Sequence, residues 1–364
     1  MKNIEYDLVI MGATGFTGKL VVEYLIENYG VENEEFTWAI AGRDINKLER
    51  LRSSFKYIDS NSNKIPRLVV DSHDTNSLDK MTSISRLVIS TVGPYLKFGE
   101  ALVESCVKNG THYCDLTGEV PFIRRSIDAF DIKAKKNNCR IVHSCGFDSV
   151  PSDIGVLLLQ MDSLKRFDKP CDEVNLYVRS IRGGLSGGTI DSMISIFKYM
   201  GSNPGHRKLL KSPFSLNPRE SLKNNTWQPI LKSVKWDDDI QRWLCPFIMA
   251  GFNSRIVMRT NAITDYRYGI DFKYSEVSSY KKGLSGFLKA VVMFIGLVLI
   301  QISLKVRPLL WFLRKFFLPS PGEGPSKEIR DNGFFKLDII GSMDNIKKIR
   351  FTVTGEGDPG YSAT

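Results

Sequence analysis

Tyr6-Asp7-Leu8-Val9-Ile10-Met11-Gly12-Ala13-Thr14-Gly15-Phe16-Thr17-Gly18-Lys19-Leu20 decides how this chain is read. An apolar run of strand formers enters a loop with glycine at every third position, and Leu20 to Ile26 continues with helical apolar spacing. Strand, phosphate loop and helix start follow one another. Gly12 serves the tight turn, Gly15 the close approach of backbone to a pyrophosphate, and Gly18 the close packing of helix on sheet. The helix N-terminus offers the phosphates free N–H groups and a partial positive charge. Gly12, Ala13, Thr14, Gly15, Phe16, Thr17 and Gly18 are therefore the candidate dinucleotide cradle.

Working outward, Phe36 to Ala41 reads as a second buried strand, ending in Gly42-Arg43-Asp44. This is where a dinucleotide fold meets the adenosine ribose. An acid there accepts from a 2′-hydroxyl, whereas an arginine pairs with a 2′-phosphate. Arg43 comes first, so NADP is the expected cofactor, and Asp44 keeps NAD open. Arg67 to Asp71 is a third strand that places Asp71 near the adenine. Arg86 to Thr91 is a fourth, and its end loop makes Gly93 and Pro94 the candidate wall beside the nicotinamide ribose. Thr111 to Leu116 and Arg140 to Cys145 complete six strands alternating with helices, a doubly wound α/β pattern.

The alternation weakens beyond Asp153. Asp172 to Ser180, Gly269 to Val277, Phe334 to Ile340 and Ile349 to Thr354 read as strands separated by long excursions, with Gly269 to Val277 patterned as an exposed one. Gly183 to Thr189 reads as a flexible loop. These features suggest a largely antiparallel α+β second domain. The expected organisation is a Rossmann domain over 1–153, a substrate domain over 154–282 and 321–364, and an apolar, basic insertion over 283–320.

A chain of 364 residues exceeds one typical core, and 42% hydrophobic with 25% charged residues is ordinary for a globular protein. Its net charge of +10 hints at nucleic acid until it is located. Residues 1–150 hold 19 basic and 20 acidic residues, so the excess lies in the remainder, with 31 against 20. There the basic residues are spread out or flank an apolar segment, which favours a membrane surface over a nucleic-acid groove. The six cysteines form no C-x-x-C pair and the four histidines do not cluster with them, so neither a zinc site nor a disulfide framework is expected. The first strand begins close to Met1, leaving no room for a signal peptide, and the body of the protein is expected to face the cytosol.

Leu284 to Leu304 is apolar apart from Ser285, Lys289, Gln301 and Ser303. Its charge-free part, Ala290 to Leu304, is shorter than the ~20 residues that cross hydrocarbon comfortably. Pro308 bends the chain, and Val277 to Ser320 carries seven basic residues and no acidic one. A buried core helix and a single span compete here with an in-plane anchor on one leaflet. The pattern favours the anchor, through 284–318, on a lipid-droplet or ER-type membrane facing the cytosol. Cytoplasm or mitochondrion is the alternative location.

Gly-Ala-Thr-Gly-Phe-Thr-Gly, Ala41-Gly42-Arg43, Thr91-Val92-Gly93-Pro94-Tyr95, Tyr113-Cys114-Asp115-Leu116-Thr117-Gly118-Glu119 and Gly146-Phe147-Asp148-Ser149-Val150-Pro151-Ser152-Asp153 together resemble the saccharopine dehydrogenase-like oxidoreductases. The likeness continues through Gly184 to Thr189, Arg259 to Ala262 and Gly355 to Tyr361, nearly the whole chain. It implies a Rossmann domain joined to an α/β substrate domain, association with lipid droplets and membranes as in eukaryotic members, and kinship with bacterial trans-acting enoyl reductases of lipid and glycolipid biosynthesis. Members continue past Gly-Asp-Pro-Gly-Tyr into a further helical segment, so the resemblance also implies a substrate domain shortened at its C-terminus.

The expected activity is NADPH-dependent hydride transfer to a lipid-like substrate; the bond reduced, C=C, C=N or C=O, stays open, and the resemblance points to an enoyl reduction. The cofactor carries the hydride chemistry, and the protein must orient it and supply a proton donor. Tyr95, Tyr113, His143 and Asp148 lie at the ends of strands four to six and are the candidates for that donor, each equally readable as structural. Cys145 reads as a small buried thiol. The rival reading is a non-enzymatic lipid-droplet or membrane protein that keeps the nucleotide fold as a binding module. Oligomeric state is left open, a homodimer included.

Overall fold

A computed structural model describes residues 3–202, 204–219, 226–320, 322–344 and 347–363. Pro321 and Thr364, the ends of the second segment expected for the substrate domain, lie outside the described residues, as does Met1. The chain divides into two compact units. The first holds Met1–Cys145, Ser186–Ile196 and Pro319–Gly324, and the second holds Gly146–Leu185, Phe197–Leu318 and Pro325–Thr364.

In the first unit the elements are β1 (Tyr6–Met11), α1 (Phe16–Tyr29), β2 (Trp38–Gly42), α2 (Ile45–Ser54), β3 (Arg67–Val69), α3 (Thr75–Ser83), β4 (Ser85–Ser90), α4 (Tyr95–Phe98), α5 (Glu100–Asn109), β5 (His112–Asp115), α6 (Val120–Lys136) and β6 (Ile141–Val142). The six strands form one parallel sheet ordered β3-β2-β1-β4-β5-β6. Strand order therefore reverses direction between β1 and β4, the crevice where this fold class binds dinucleotides. Val9, Ile10, Ala39, Ile40 and Val88 are fully buried, as strands covered by helices on both faces require.

Two segments that are distant in sequence join this unit. Gly187 N–H donates to the Glu323 carbonyl at 3.0 Å, and a Cβ at Gly324 would stand 2.3 Å from the Phe16 ring. The chain thus returns twice to the flank of its own glycine loop.

The second unit contains α7 (Val150–Phe167), β7 (Glu173–Arg182), α8 (Gly187–Ser202, whose first turns belong to the first unit), α9 (Pro204–Lys211), β8 (Lys235–Asp237), β9 (Arg242–Pro246), α10 (Ala250–Ile263), β10 (Lys273–Tyr280), α11 (Leu284–Lys305), α12 (Arg307–Phe316), α13 (Lys327–Asp331), β11 (Phe334–Met343) and β12 (Lys347–Glu356). The sheet order is β12-β11-β7-β10-β9-β8, mixed and mostly antiparallel. The one parallel pairing is β10 with β7, in which Lys273 faces Glu173 and Ser278 faces Val178. The core gathers Val174, Leu176, Tyr274, Leu337 and Ile339 from the sheet with Val156, Leu159, Val257 and Met258 from α7 and α10. Gly155 lets α7 lie directly on β11, because a Cβ there would fall 2.4 Å from the Ile339 Cδ1.

Three expectations change. The segment Gly269 to Val277 is not an exposed strand; β10 sits between β7 and β9 with Tyr274, Glu276, Val277, Ser278 and Ser279 buried. Its polar alternation misled because Glu276 and the serines are hydrogen-bonded inside the unit. The loop expected over Gly183 to Thr189 ends at Ser186, and Gly187 to Thr189 form the first turn of α8. Cys145 is exposed rather than buried.

Candidate active site

The glycine loop has the geometry its spacing implies. Gly12 adopts φ +89°, and a Cβ on it would lie 2.7 Å from Val92 Cγ2. Gly15 N–H donates to the Gly12 carbonyl at 3.0 Å, closing the turn. A Cβ on Gly18 would stand 2.2 Å from the Gly12 carbonyl oxygen and 2.8 Å from Ala13 Cα, so only glycine allows α1 to start against β1. Helix α1 has Gly15 at its N-cap, no side-chain cap and no acidic residue in its first turn, which leaves its positive end for an anion. Ala13 is fully buried, while Thr14 is exposed and Phe16 and Thr17 are half-buried. This cradle, closed to any added methyl group, fits a pyrophosphate.

Arg43 and Asp44 divide their duties. Asp44 caps α2, its Oδ1 accepting from Asn46 N–H at 2.9 Å and Lys47 N–H at 3.1 Å. The Lys47 amide is the chief reason its carboxyl lies below the usual range. Arg43 is exposed, with no ion pair among the described residues. A carboxylate occupied by helix capping and an arginine left in solvent favour a 2′-phosphate over a bare ribose. Asp71 lies two residues past the end of β3, in a turn where its Oδ1 accepts from His73 N–H at 2.9 Å.

Beyond β4 the backbone passes through Gly93-Pro94, a cis peptide, into α4. What holds that turn was missed by the sequence reading. Glu119 is fully buried, and its carboxylate accepts from the amides of Tyr95 (2.9 Å) and Leu96 (2.8 Å) and from the Ser192 hydroxyl (2.7 Å). Burial raises its pKa, opposed by those three donors. One side chain thus ties together the end of β4, the loop after β5 and the start of α8. The sequence signal was an acid four residues past Asp115, in a Thr-Gly-Glu turn at a strand end.

The four proton-donor candidates have distinct surroundings. Tyr95 is buried, donates its hydroxyl to the Ser90 carbonyl at 2.9 Å and stacks on Phe122. Burial drives its pKa well up. The Tyr113 hydroxyl donates to Asp115 Oδ2 at 2.9 Å, and burial likewise raises its pKa strongly. His143 faces the same Asp115 Oδ2 through Nδ1 at 2.7 Å and reaches Ser126 Oγ through Nε2 at 2.9 Å. Asp115 Oδ1 also accepts the amides of Thr117 and Ser144. Tyr113, Asp115, His143 and Ser126 therefore form a connected proton-sharing chain at the ends of β5 and β6.

Asp148 belongs to the second unit, in a different cluster. It lines a small cavity of about 10 Å³ with Phe147, Ser152, Phe247, Met249, Asn253, Glu276 and Leu337. Such a space holds roughly one water. Glu276 Oε1 accepts from Asn253 Nδ2 at 3.0 Å and Ser152 Oγ at 3.2 Å, and its Oε2 from the Tyr274 hydroxyl at 3.3 Å. Burial nevertheless pushes it up to about 7. Burial also raises Asp148 and Asp153 to about 6, the latter partly offset by the Thr260 hydroxyl at 2.8 Å. Three carboxyls titrating near neutrality in one region can each hold a proton where an ordinary acid would have lost it. The Gly-Phe-Asp-Ser-Val-Pro-Ser-Asp and Arg-Thr-Asn motifs are thus polar packing partners in space. Among the described residues no cluster suited to a metal ion occurs.

The parallel sheet, its crossover order and the closed glycine cradle define an NADP-dependent oxidoreductase. Residues 8–142 match the saccharopine dehydrogenase NADP binding domain. A Mycobacterium tuberculosis protein bearing the name putative trans-acting enoyl reductase is 36% identical over 372 residues, covering 99% of this chain and 86% of that protein. A Mycobacterium bovis trans-acting enoyl reductase is 32% identical over 369 residues, with the same coverage of both chains. The chain belongs to this saccharopine dehydrogenase-like oxidoreductase family. Among solved structures, saccharopine dehydrogenase (L-Glu forming) from Saccharomyces cerevisiae superposes with a TM-score of 0.47 at 13% identity, covering 98% of this chain and 87% of that one.

Proposed function

We propose that the protein uses NADPH to reduce a carbon–carbon double bond conjugated to a carbonyl in a lipid-type substrate, at a membrane surface. The observation that carries the reaction is similarity over 99% of this chain, at 32% identity, to a protein named for enoyl reduction, together with an intact cradle for the cofactor. NADPH supplies the hydride. Gly12 to Gly18 bind its pyrophosphate, Arg43 its 2′-phosphate, and Gly93 and Pro94, held by Glu119, border the nicotinamide ribose. Asp71 lies toward the adenine. The Tyr113–Asp115–His143 chain and the raised carboxyl of Asp148 are the groups able to hold the proton that completes reduction.

The membrane part rests on α11 and α12. Helix α11 has a mean hydropathy of 2.3 over its most apolar stretch, of which 11% is buried. Leu288, Val292, Ile295, Leu299 and Ile302 stand exposed in a stripe along one face of it. Water does not tolerate so long an uncovered apolar helix, whereas lipid does. Helix α12 exposes Trp311, Phe312 and Phe316, with Lys315 Nζ 5.0 Å from the Trp311 ring centre. Aromatics with basic heads suit the headgroup level of anionic lipid, and the 15 uncharged residues of Ala290–Leu304 rise about 22 Å, less than a hydrocarbon core, which favours insertion into one leaflet.

The test has two arms. NADPH oxidation is followed with α,β-unsaturated acyl thioesters and lipids in vesicles; cofactor binding without turnover across the panel refutes the reductase and favours a membrane-bound nucleotide-binding protein. Separately, removal of 284–318 abolishes flotation with anionic vesicles while NADPH binding persists. A full chain that stays monodisperse in water without detergent refutes the membrane reading.

A further inference from the structure

Cys114 and Cys145 stand side by side at the carboxyl ends of β5 and β6. Cys114 is paired across the sheet with Val142. After Val142 the chain turns through Ser144, whose φ is +66°, and Cys145 comes back over the same rung. Its amide donates to the Asp115 carbonyl at 2.7 Å, and its Sγ lies 3.6 Å from the Val142 carbonyl oxygen. The second sulfur is therefore brought to the strand position opposite the first.

Their environments differ in a useful way. Cys145 is exposed and Cys114 partly so, whereas Cys106, Cys139, Cys171 and Cys245 are buried. Hydrogen bonding by Cys114 holds the Cys145 thiol below its usual pKa, and the same contact, with burial, holds Cys114 well above. One sulfur is thus the better thiolate and reachable from solvent, while its neighbour keeps its proton. That asymmetry is what an attacking and a resolving cysteine require.

We propose that Cys114 and Cys145 form a reversible oxidation site that closes into a disulfide on meeting a peroxide. The Cys145 thiolate attacks one peroxide oxygen. The O–O bond breaks, Cys145 becomes a sulfenic acid, and the departing hydroxide takes up a proton to leave as water. Cys114 then attacks the Cys145 sulfur; the S–S bond forms, the S–O bond breaks, and the thiol proton of Cys114 leaves with the hydroxyl as a second water. Two thiols and one hydrogen peroxide give one disulfide and two waters. The bond would pin the end of β5 to the turn after β6, next to Asp115 and His143, so oxidation state reaches the proton-sharing chain without touching the glycine cradle.

The experiment treats the full-length protein with hydrogen peroxide at neutral pH, alkylates the remaining thiols and maps the peptides by mass spectrometry. The expected product joins Cys114 to Cys145, reduces the alkylatable thiols from six to four, and is reversed by dithiothreitol. In Cys114→Ser, Cys145 has no resolving partner, and its sulfenic acid, trapped by dimedone, rises about tenfold over the unaltered protein, whereas Cys139→Ser leaves the disulfide yield unchanged. Three results overturn the proposal: Cys145 advancing to sulfinic acid while Cys114 stays alkylatable, a first disulfide that includes any other cysteine, or both thiols surviving peroxide that oxidises free glutathione.

Discussion

Replacing Glu276 by glutamine tests the buried carboxyl cluster quantitatively. Glu276 is buried on β10, and burial pushes it up to about 7 from an ordinary 4.5. A carboxyl whose folded pKa is raised binds its proton more tightly in the folded state. Its stabilising contribution is therefore fully present below pH 4.5 and is lost as pH rises through about 7. That raised pKa corresponds to about 3 kcal/mol in all, of which about 1 kcal/mol disappears between pH 6 and pH 8. Asp148 and Asp153, raised to about 6, contribute mainly below that window. Glutamine keeps an acceptor for Ser152 and Asn253 and cannot titrate.

Hydrogen exchange of the amides over Lys273–Tyr280, corrected for intrinsic rates, reads this locally, which matters because a chain of two units need not unfold in one step. In the unaltered protein the titration of Glu276 should raise local opening about tenfold from pH 6 to pH 8. Glu276→Gln should keep only the smaller slope that Asp148 and Asp153 contribute over the same range. Parallel pH slopes for the two proteins would refute the assignment of a protonated Glu276.

Three further outcomes are expected. Gly18→Ala drives a methyl to 2.2 Å from the Gly12 carbonyl and should abolish NADPH binding by calorimetry, whereas Gly118→Ala, where an added Cβ meets nothing within 4 Å, should bind as before. Arg43→Gln should weaken NADPH by about 10- to 100-fold, the worth of a charge-assisted pair, and leave NADH affinity within about twofold. Glu119→Ala leaves the Tyr95 and Leu96 amides without their acceptor and should cost about 3 kcal/mol, seen as a lower thermal midpoint together with weaker NADPH binding.

The nucleotide unit was legible because its determinants are local. Glycines at 12, 15 and 18 act on one turn, and six apolar runs alternating with helices leave few ways to arrange a parallel sheet. Glu119 was not legible, since its meaning depends on Ser192, 73 residues away, and on two amides that carry no side-chain signature. The same limit hid β10. Its serines and Glu276 look solvent-facing in sequence, yet Asn253, Ser152 and Tyr274 satisfy Glu276, while Ser275 donates to the Asn175 side chain and Ser279 to the Val178 carbonyl of β7. Cys145 reads like any small residue at a strand end until the turn at Ser144 brings it back over Cys114.

The parallel pairing of β7 with β10 also sets an order of events during synthesis. Strand β7 leaves the ribosome about 100 residues before β10 and about 160 before β11, its two neighbours in the sheet. Six-stranded pairing in the first unit needs only the chain up to Val142, so that sheet can close while β7 is still without a partner. Helix α11 then emerges before β11 and β12 exist to complete the second sheet. A nascent chain at that point carries an open sheet edge and an uncovered apolar helix together, an aggregation hazard that capture of α11 by lipid, if it anchors there as proposed, would remove early.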